Sequence, residues 1–336
     1  MKFKHQSAPG ATYPAFLRCV LTLAVSCSVL TTLPAGAADS GSSVIEGSDG
    51  WLFPGWERSD KSDRTGLAAN IKLLQETRDL LAARKIGLLV MVVPAKAAFY
   101  RQRLPQQVQL APEVLSRYSD VLDLLNKAGI NSFDDRAVLQ TVEQGKQTAF
   151  YRADYHWTAW AAEASAEVAA QRINTSWSLP PGGTGTVLGE WTNDRRYGDL
   201  ASNFMRPAER KRIGRDTYTV RKTADAGDAL LDTGPAPVQV VGNSFVQPYL
   251  GFPQKLSNAL SQPVGLTWNP GNVGPWKTML DAVERPDFAH NKPLVVVWQF
   301  NEAQLESGPD ASASWDAAGR MSAATWRSRM AAALAK

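Results

Sequence analysis

The chain has 336 residues, 44% hydrophobic and 20% charged, with a formal charge of +4. That is globular composition, enough for one large or two small domains. Both cysteines, Cys19 and Cys27, fall in the N-terminal leader. The remainder therefore excludes a disulfide, a cysteine nucleophile and a Cys-type zinc site. Lys2, Lys4 and Arg18 also lie in the leader; without them 33 basic residues face 32 acidic ones. So even a balance is poor ground for nucleic-acid binding, which usually needs a basic surface.

In chain order, the basic start is followed by an apolar run from about Cys19 to Leu33 and then "PAGAAD". Ala35 and Ala37 stand where an A-x-A cleavage site puts them, so residues 1–37 read as a secretory signal peptide. The sequence leaves open an uncleaved membrane anchor, although ~15 apolar residues is short for a span. Residues 38–336 then form the folded domain. "EGSDGWLFPGW" (46–56) reads as a strand with a tight turn at Asp49-Gly50, a pair that tolerates positive φ. Leu67, Ile71, Leu74, Leu80 and Leu81 give residues 66–85 a helical period. "IGLLVMVVP" (86–94) is apolar throughout and reads as a parallel strand buried on both faces. A helix over 112–128, a short strand at 129–135, a helix over 135–145 and an alanine-rich helix over 158–173 follow. Residues 178–236, rich in Pro, Gly, Asp and Arg, read as an irregular insertion with a short strand at 216–222. "VQVVG" (238–242), a helix over 247–261, strand 264–268, helix 275–284, "PLVVVWQF" (293–300) and a helix over 315–334 complete the chain. Strands alternating with helices predict a three-layer α/β/α sandwich with a mainly parallel sheet.

In such a sheet, functional groups gather beyond the carboxyl ends of the strands. Ser244 stands there, after "VQVVG". A serine hydroxyl needs an adjacent base, and outside the leader only His156 and His290 offer an imidazole. His156 lies two residues after Asp154, a carboxylate able to hold Nδ1–H while Nε2 takes a proton. Backbone N–H groups beside Ser244, with Gly242 allowing close approach, could receive an oxyanion, and Asn243 could shape the turn or donate a bond. Each feature also has a plain reading. Gly-Asn-Ser at a strand end is often a turn, and Asp154 or Thr158 could simply cap the following helix. His290 sits in a polar loop with no carboxylate at matching spacing. Trp157, beside His156, is the tryptophan best placed to line a sugar site. Lys96 and Tyr100 follow a buried strand, at an end where a ligand could bind; Lys96 could equally be a solvated loop residue. Arg206, Arg210, Lys211, Arg212, Arg215, Arg221 and Lys222 could steer an anionic polymer or form a solvated face. There is no phosphate loop or dinucleotide glycine pattern, and two histidines without a ligand cluster predict neither metal nor cofactor.

"GSDGWLF" (47–53), "VPAKAAFY" (93–100), "YRADYHWT" (151–158), "YGDL" (197–200) and "VVGNSF" (240–245), in that order, resemble the AlgJ/AlgX-type alginate O-acetyltransferase family. The resemblance runs over roughly residues 46–300. It implies an SGNH-hydrolase-like fold in permuted order, with the Asp-x-His block before the serine, and acetyl transfer to exopolysaccharides in the periplasm. It matches Ser244, His156 and Asp154 to nucleophile, base and orienter. It also implies a membrane-bound O-acyltransferase as the acetyl source. An acidic residue and an arginine anticipated near Gln299 and Ala303 are missing, and so is the carbohydrate-binding module of AlgX-type chains. The reading is thus a periplasmic O-acetyltransferase acting on an alginate- or cellulose-like polymer. The alternatives are a carbohydrate acetylesterase with the same three residues, in which water replaces the sugar hydroxyl, and a non-catalytic polysaccharide-binding protein of the secretion machinery.

Overall fold

Runs of Val, Ile and Leu without polar alternation make strands that need a layer on each face. The computed structural model describes residues 43–57, 60–181, 183–223 and 236–335. The expected signal peptide, with Cys19 and Cys27, lies outside them. In chain order the strands are β1 Val44–Glu46, β2 Leu52–Pro54, β3 Gly87–Val93, β4 Asn131–Ser132, β5 Leu188–Arg196, β6 Asp216–Thr223, β7 Val238–Gly242, β8 Val264–Trp268 and β9 Val295–Asn301. The α-helices are α1 Arg64–Ala83, α2 Lys96–Phe99, α3 Pro112–Lys127, α4 Asp135–Gln144, α5 Ala159–Ser176, α6 Asp199–Phe204, α7 Pro207–Ile213, α8 Phe252–Leu260, α9 Pro275–Val283, α10 Pro286–His290 and α11 Ala323–Leu334.

Five strands form one parallel sheet in the order β4-β3-β9-β7-β8. The two-residue period of a strand divides its apolar residues between two cores. Leu89, Met91 and Val93 of β3, Val238 and Val240 of β7, and Val295 and Val297 of β9 share one core with buried residues of α5 and α8. Leu88, Val90, Val92, Val241, Val296, Trp298 and Phe300 share the other with residues of α1, α3, α9 and α11. The architecture is the three-layer α/β/α sandwich with a mainly parallel sheet. None of the helices among the described residues is long and apolar enough to cross a membrane.

The β1–β2 hairpin turns at Asp49 (φ 54°) and Gly50 (φ 72°), as the Asp-Gly pair predicts. Three readings differ from the structure. The stretch read as irregular contains the antiparallel pair β5–β6 with α6 and α7 between the strands. Charged residues dominate β5, so it carries no buried run to betray it. The helix expected over 247–261 is one short 3-10 turn, Pro248–Leu250, and then α8, divided by Gly251 at φ 87°. The last helix starts at Ala323 rather than near 315, where the Ser322 side chain accepts from the Thr325 amide.

Asp135, the first residue of α4, is fully buried, and one of its oxygens accepts from Ser165 Oγ at 2.5 Å. The other has no partner. Burial raises this carboxyl to about 7. The folded value then exceeds the unfolded one of about 3.9. The favourable contribution of the held proton is full below about pH 4 and is lost as pH rises through about 7. Asp135→Asn should therefore raise the melting temperature at about pH 8 and have little effect at about pH 4; melts at the two values test this.

Candidate active site

β7 ends at Gly242, and the chain turns through Asn243 into the 3-10 turn Ser244–Val246. A side chain at Gly242 would put Cβ 2.8 Å from Gln299 Oε1 and 2.8 Å from Val246 Cγ2, so a larger residue would have to displace the side chains that pack on the serine turn. Asn243 holds the turn on five bonds, one of them its carbonyl accepting from the Val246 amide at 3.0 Å. Its Oδ1 accepts from the Phe245 amide at 2.9 Å, and its Nδ2 donates to Asn301 Oδ1 and Gln304 Oε1, both at 3.0 Å. Its backbone N–H donates to Gln299 Oε1 at 3.1 Å. Of the two roles expected for Asn243, the structure gives it the shaping of the turn, and its amide is already spent.

Ser244 Oγ lies 2.8 Å from His156 Nε2, and His156 Nδ1 lies 2.8 Å from Asp154 Oδ1. The imidazole is buried, 3% exposed, and Ser244 is partly open. The plain cap reading falls to Thr158, whose Oγ1 accepts from the Ala161 amide and starts α5. Asp154 is left for the imidazole. Its Oδ1 also accepts from the His156 amide at 2.9 Å, and its Oδ2 accepts from Tyr218 OH at 2.6 Å and from the Asp199 amide at 3.0 Å. Burial alone would raise this carboxyl, but His156 and the bonds from His156 and Tyr218 outweigh it and hold it well below the usual range. Asp154 is thus an ionised acceptor aimed at Nδ1–H, which leaves Nε2 as the acceptor facing Ser244.

Of the other side chains at the site, Tyr155 and Tyr218 were not singled out in the sequence, and Asp199 entered it through the "YGDL" block. Tyr155 lies against the imidazole, ring centroids 4.1 Å apart. Asp199 Oδ2 stands 3.5 Å from His156 Nδ1. Burial, then the charge of Asp154, raises the Asp199 carboxyl. The "YGDL" block brings it there because Gly198 lies flat on the Asp154 loop, where a Cβ would fall 2.2 Å from the Ala153 carbonyl oxygen. Tyr218, in β6, gave no sequence signal beyond strand propensity.

Three expected contacts are corrected. Lys96 is neither solvated nor open to a ligand: it is wholly buried, and its Nζ donates to the carbonyls of Leu52, Tyr151, Arg152 and Asp154 at 2.7–2.9 Å. Tyr100 is buried, with its hydroxyl on Glu143 and accepting from the Ala149 amide at 2.9 Å. Trp157 is fully buried under the site, its Nε1 donating to the Phe245 carbonyl at 2.8 Å, so it supports the turn and presents no face to a sugar. The basic residues of the former insertion largely engage neighbours. Arg206 pairs with Glu209, Arg212 with Glu46 and Arg221 with Glu163, while Arg210 and Arg215 lie over the Tyr197 ring. His290 is exposed, its Nδ1 on the Pro286 carbonyl.

Asp154, His156 and Asp199 each offer one atom within 4.8 Å of the others. Nδ1 of His156 and both oxygens of Asp154 are already engaged with one another and with Tyr218 and Asp199. A cation there would have to displace the imidazole proton, so the arrangement suits proton transfer better than metal ligation.

A parallel α/β/α sandwich with serine, imidazole and carboxylate in line at the carboxyl end of its central strands is the frame of a serine-type acyl-group enzyme. A family model described as "SGNH hydrolase-like domain, acetyltransferase AlgX" matches residues 44–302, and the chain belongs to this family. It is an acyltransferase of the SGNH type. It is 30% identical over 282 residues to the Pseudomonas putida protein named "Probable alginate O-acetylase AlgJ", covering 80% of this chain and 72% of that one. Identity to the protein of the same name from Azotobacter vinelandii is 29% over 280 residues, 80% and 71% of the two chains. The solved O-acetyltransferase domain of Pseudomonas putida AlgJ superimposes with a TM-score of 0.72 at 25% identity, over 86% of this chain and 98% of that one. Pseudomonas aeruginosa AlgX shares the fold, with a TM-score of 0.60 at 18% identity over 77% of this chain and 62% of its own.

Proposed function

We propose that the protein is a periplasmic O-acetyltransferase that places acetyl groups on hydroxyls of an alginate- or cellulose-like exopolysaccharide, through an acetyl-Ser244 intermediate. The observation that carries this reading is the line Ser244 Oγ–His156 Nε2 and His156 Nδ1–Asp154 Oδ1, with 2.8 Å at both steps. The names of the relatives favour a polysaccharide acceptor. The leader favours export of a single domain from residue 38 onward.

Ser244 Oγ attacks the acetyl carbonyl of the donor while its proton passes to His156 Nε2. Asp154 stabilises the imidazolium so formed. The Ser244 N–H, at the first position of its 3-10 turn, has no preceding turn carbonyl to bond and is the donor offered to the developing oxyanion in this scheme. Collapse breaks the donor's carbonyl–oxygen bond, and His156 returns the proton to the leaving oxygen. A sugar hydroxyl then attacks acetyl-Ser244, giving its proton to Nε2, and the second collapse restores the serine. The donor in this scheme is a membrane-bound O-acyltransferase that delivers acetyl groups across the inner membrane.

The test is product analysis by mass. With an acetyl ester as donor, the full chain should acetylate alginate or cellulose oligosaccharides, and Ser244→Ala should not. Equal release of free acetate with and without glycan would make the protein an esterase. Glycan binding without any ester chemistry would make it a binding protein.

A further inference from the structure

Six large hydrophobic side chains stand exposed among the described residues, and two of them face each other. Trp56 is 48% and Phe204 47% exposed, yet their ring centroids are 5.4 Å apart at 51°. They come from distant parts of the chain, the turn after β2 and the end of α6. Tyr155 closes the corner, edge-on to Trp56 at 5.6 Å. Its other side is the His156 imidazole at 4.1 Å. An open aromatic surface thus runs unbroken from solvent to the proposed base.

Exposed apolar side chains that converge mark a binding surface more often than isolated ones do. Two rings at 51° present separate faces, which suits a small flat ligand. They are also far too little area for a stable protein partner, which needs about 800 Å² on each side. The inner end of the corner is polar. It holds Ser244, the Tyr155 hydroxyl and Asp199, whose side chain is 38% exposed. A ligand that fits must therefore have an apolar C–H face for the rings and hydroxyls at its edge for the polar end. A pyranose ring has both.

We propose that Trp56, Phe204 and Tyr155 form the subsite that seats a sugar ring of the acceptor, with one hydroxyl turned toward Ser244. This rests on the acyl-transfer reading above and replaces buried Trp157 as the aromatic contact with the glycan. The rings are indifferent to charge, so the shared chemistry is the pyranose ring, whether uronate or neutral.

Binding tests it apart from catalysis. The full chain carrying Ser244→Ala would be titrated calorimetrically with an alginate hexasaccharide and with cellohexaose. At least one oligomer should bind, and adding Trp56→Ala or Phe204→Ala should weaken it about tenfold. Trp56→Phe should restore most of the affinity, and Leu115→Ala, at an exposed leucine on α3, should leave it unchanged. Thermal melts of each variant separate lost folding from lost contact. Binding of only one oligomer supports the subsite and assigns its charge class. No binding of either, or equal binding by both alanine variants, overturns it. Failure of the acyl-transfer reading would look different: ester turnover by the parent enzyme would be absent or independent of Ser244, whatever the titration gave.

Discussion

Ser244→Ala should lower turnover of a chromogenic acetyl ester by about a thousandfold or more, and His156→Ala by a similar factor. The double variant should be no worse than either single one. The reason is geometric: with Nε2 2.8 Å from Oγ, the proposed nucleophile and base would act as one proton-transfer unit, so removing either should disable both. Asp154→Asn should also be severe. It keeps the shape but loses the charge that fixes the imidazole through Nδ1. Folding should be nearly untouched in Ser244→Ala, because the turn is held by Asn243, Gln299 and Gln304 and not by the serine hydroxyl. Steady-state kinetics beside thermal melts check both points. Equal turnover in wild type and both single variants would sink the nucleophile–base assignment.

Lys96→Met should destabilise the protein by about 3–5 kcal/mol, the range for removing one member of a buried charged arrangement. Burial pushes the Lys96 ammonium down to about 7, while Asp154, Glu57 and Asp216 push it back up. Four backbone carbonyls converge on the one Nζ. A methionine fills the space but takes the Nζ donor from the Leu52, Tyr151 and Asp154 carbonyls, at about 1–3 kcal/mol for each unmade bond before relaxation, while the Arg152 carbonyl keeps the Leu52 amide at 2.9 Å. Three of the four carbonyls belong to residues 151, 152 and 154, so the loop that carries Asp154 loses its tether. Activity should fall with stability, and it should fall even at temperatures where circular dichroism shows the fold intact. The tether is itself anchored. Glu302, after β9, accepts from the Ala95 amide at 2.8 Å and pairs with buried Arg117 at 2.8 Å. Glu57 accepts from the Lys96 and Ala97 amides. A melt curve that matched wild type would show that the cage relaxes around methionine.

The sheet was legible because its strands are buried on both faces and leave unbroken apolar runs. The three proposed reacting residues were legible because their chemistry is rare in this chain: two imidazoles outside the leader, one of them two residues after an aspartate, and a Gly-Asn-Ser at the end of an apolar strand. What supports them was not. Tyr218 bonds Asp154 across 64 residues, and nothing in residue type or spacing announces such a pairing. Lys96 looked open because lysine is nearly always solvated, whereas a ring of backbone carbonyls can hold an ammonium inside. Trp157 looked like a sugar contact because it adjoins His156. Successive residues of an extended segment point to opposite sides, so Trp157 turns away from the side on which His156 meets Ser244. Trp56, by contrast, ends a motif whose other aromatic residues, Trp51 and Phe53, are buried, and only the fold sets it apart.

The order of strands in the sheet is not the order of their synthesis. β9 is the last strand made, and it lies between β3 and β7. Until Val295–Asn301 is available, the half of the sheet that leads to the Asp154 loop and the half that ends in Ser244 have no common neighbour. Gln299 and Asn301, which brace the serine turn, are also missing until then. Because chains fold from the N-terminus as they emerge, a nascent chain stopped at residue 290 carries Asp154, His156 and Ser244 and still cannot align them. Under the proposed mechanism, reactivity is the final thing this polypeptide acquires. A truncation upstream of Val295 should take it away without removing any of the three proposed reacting groups.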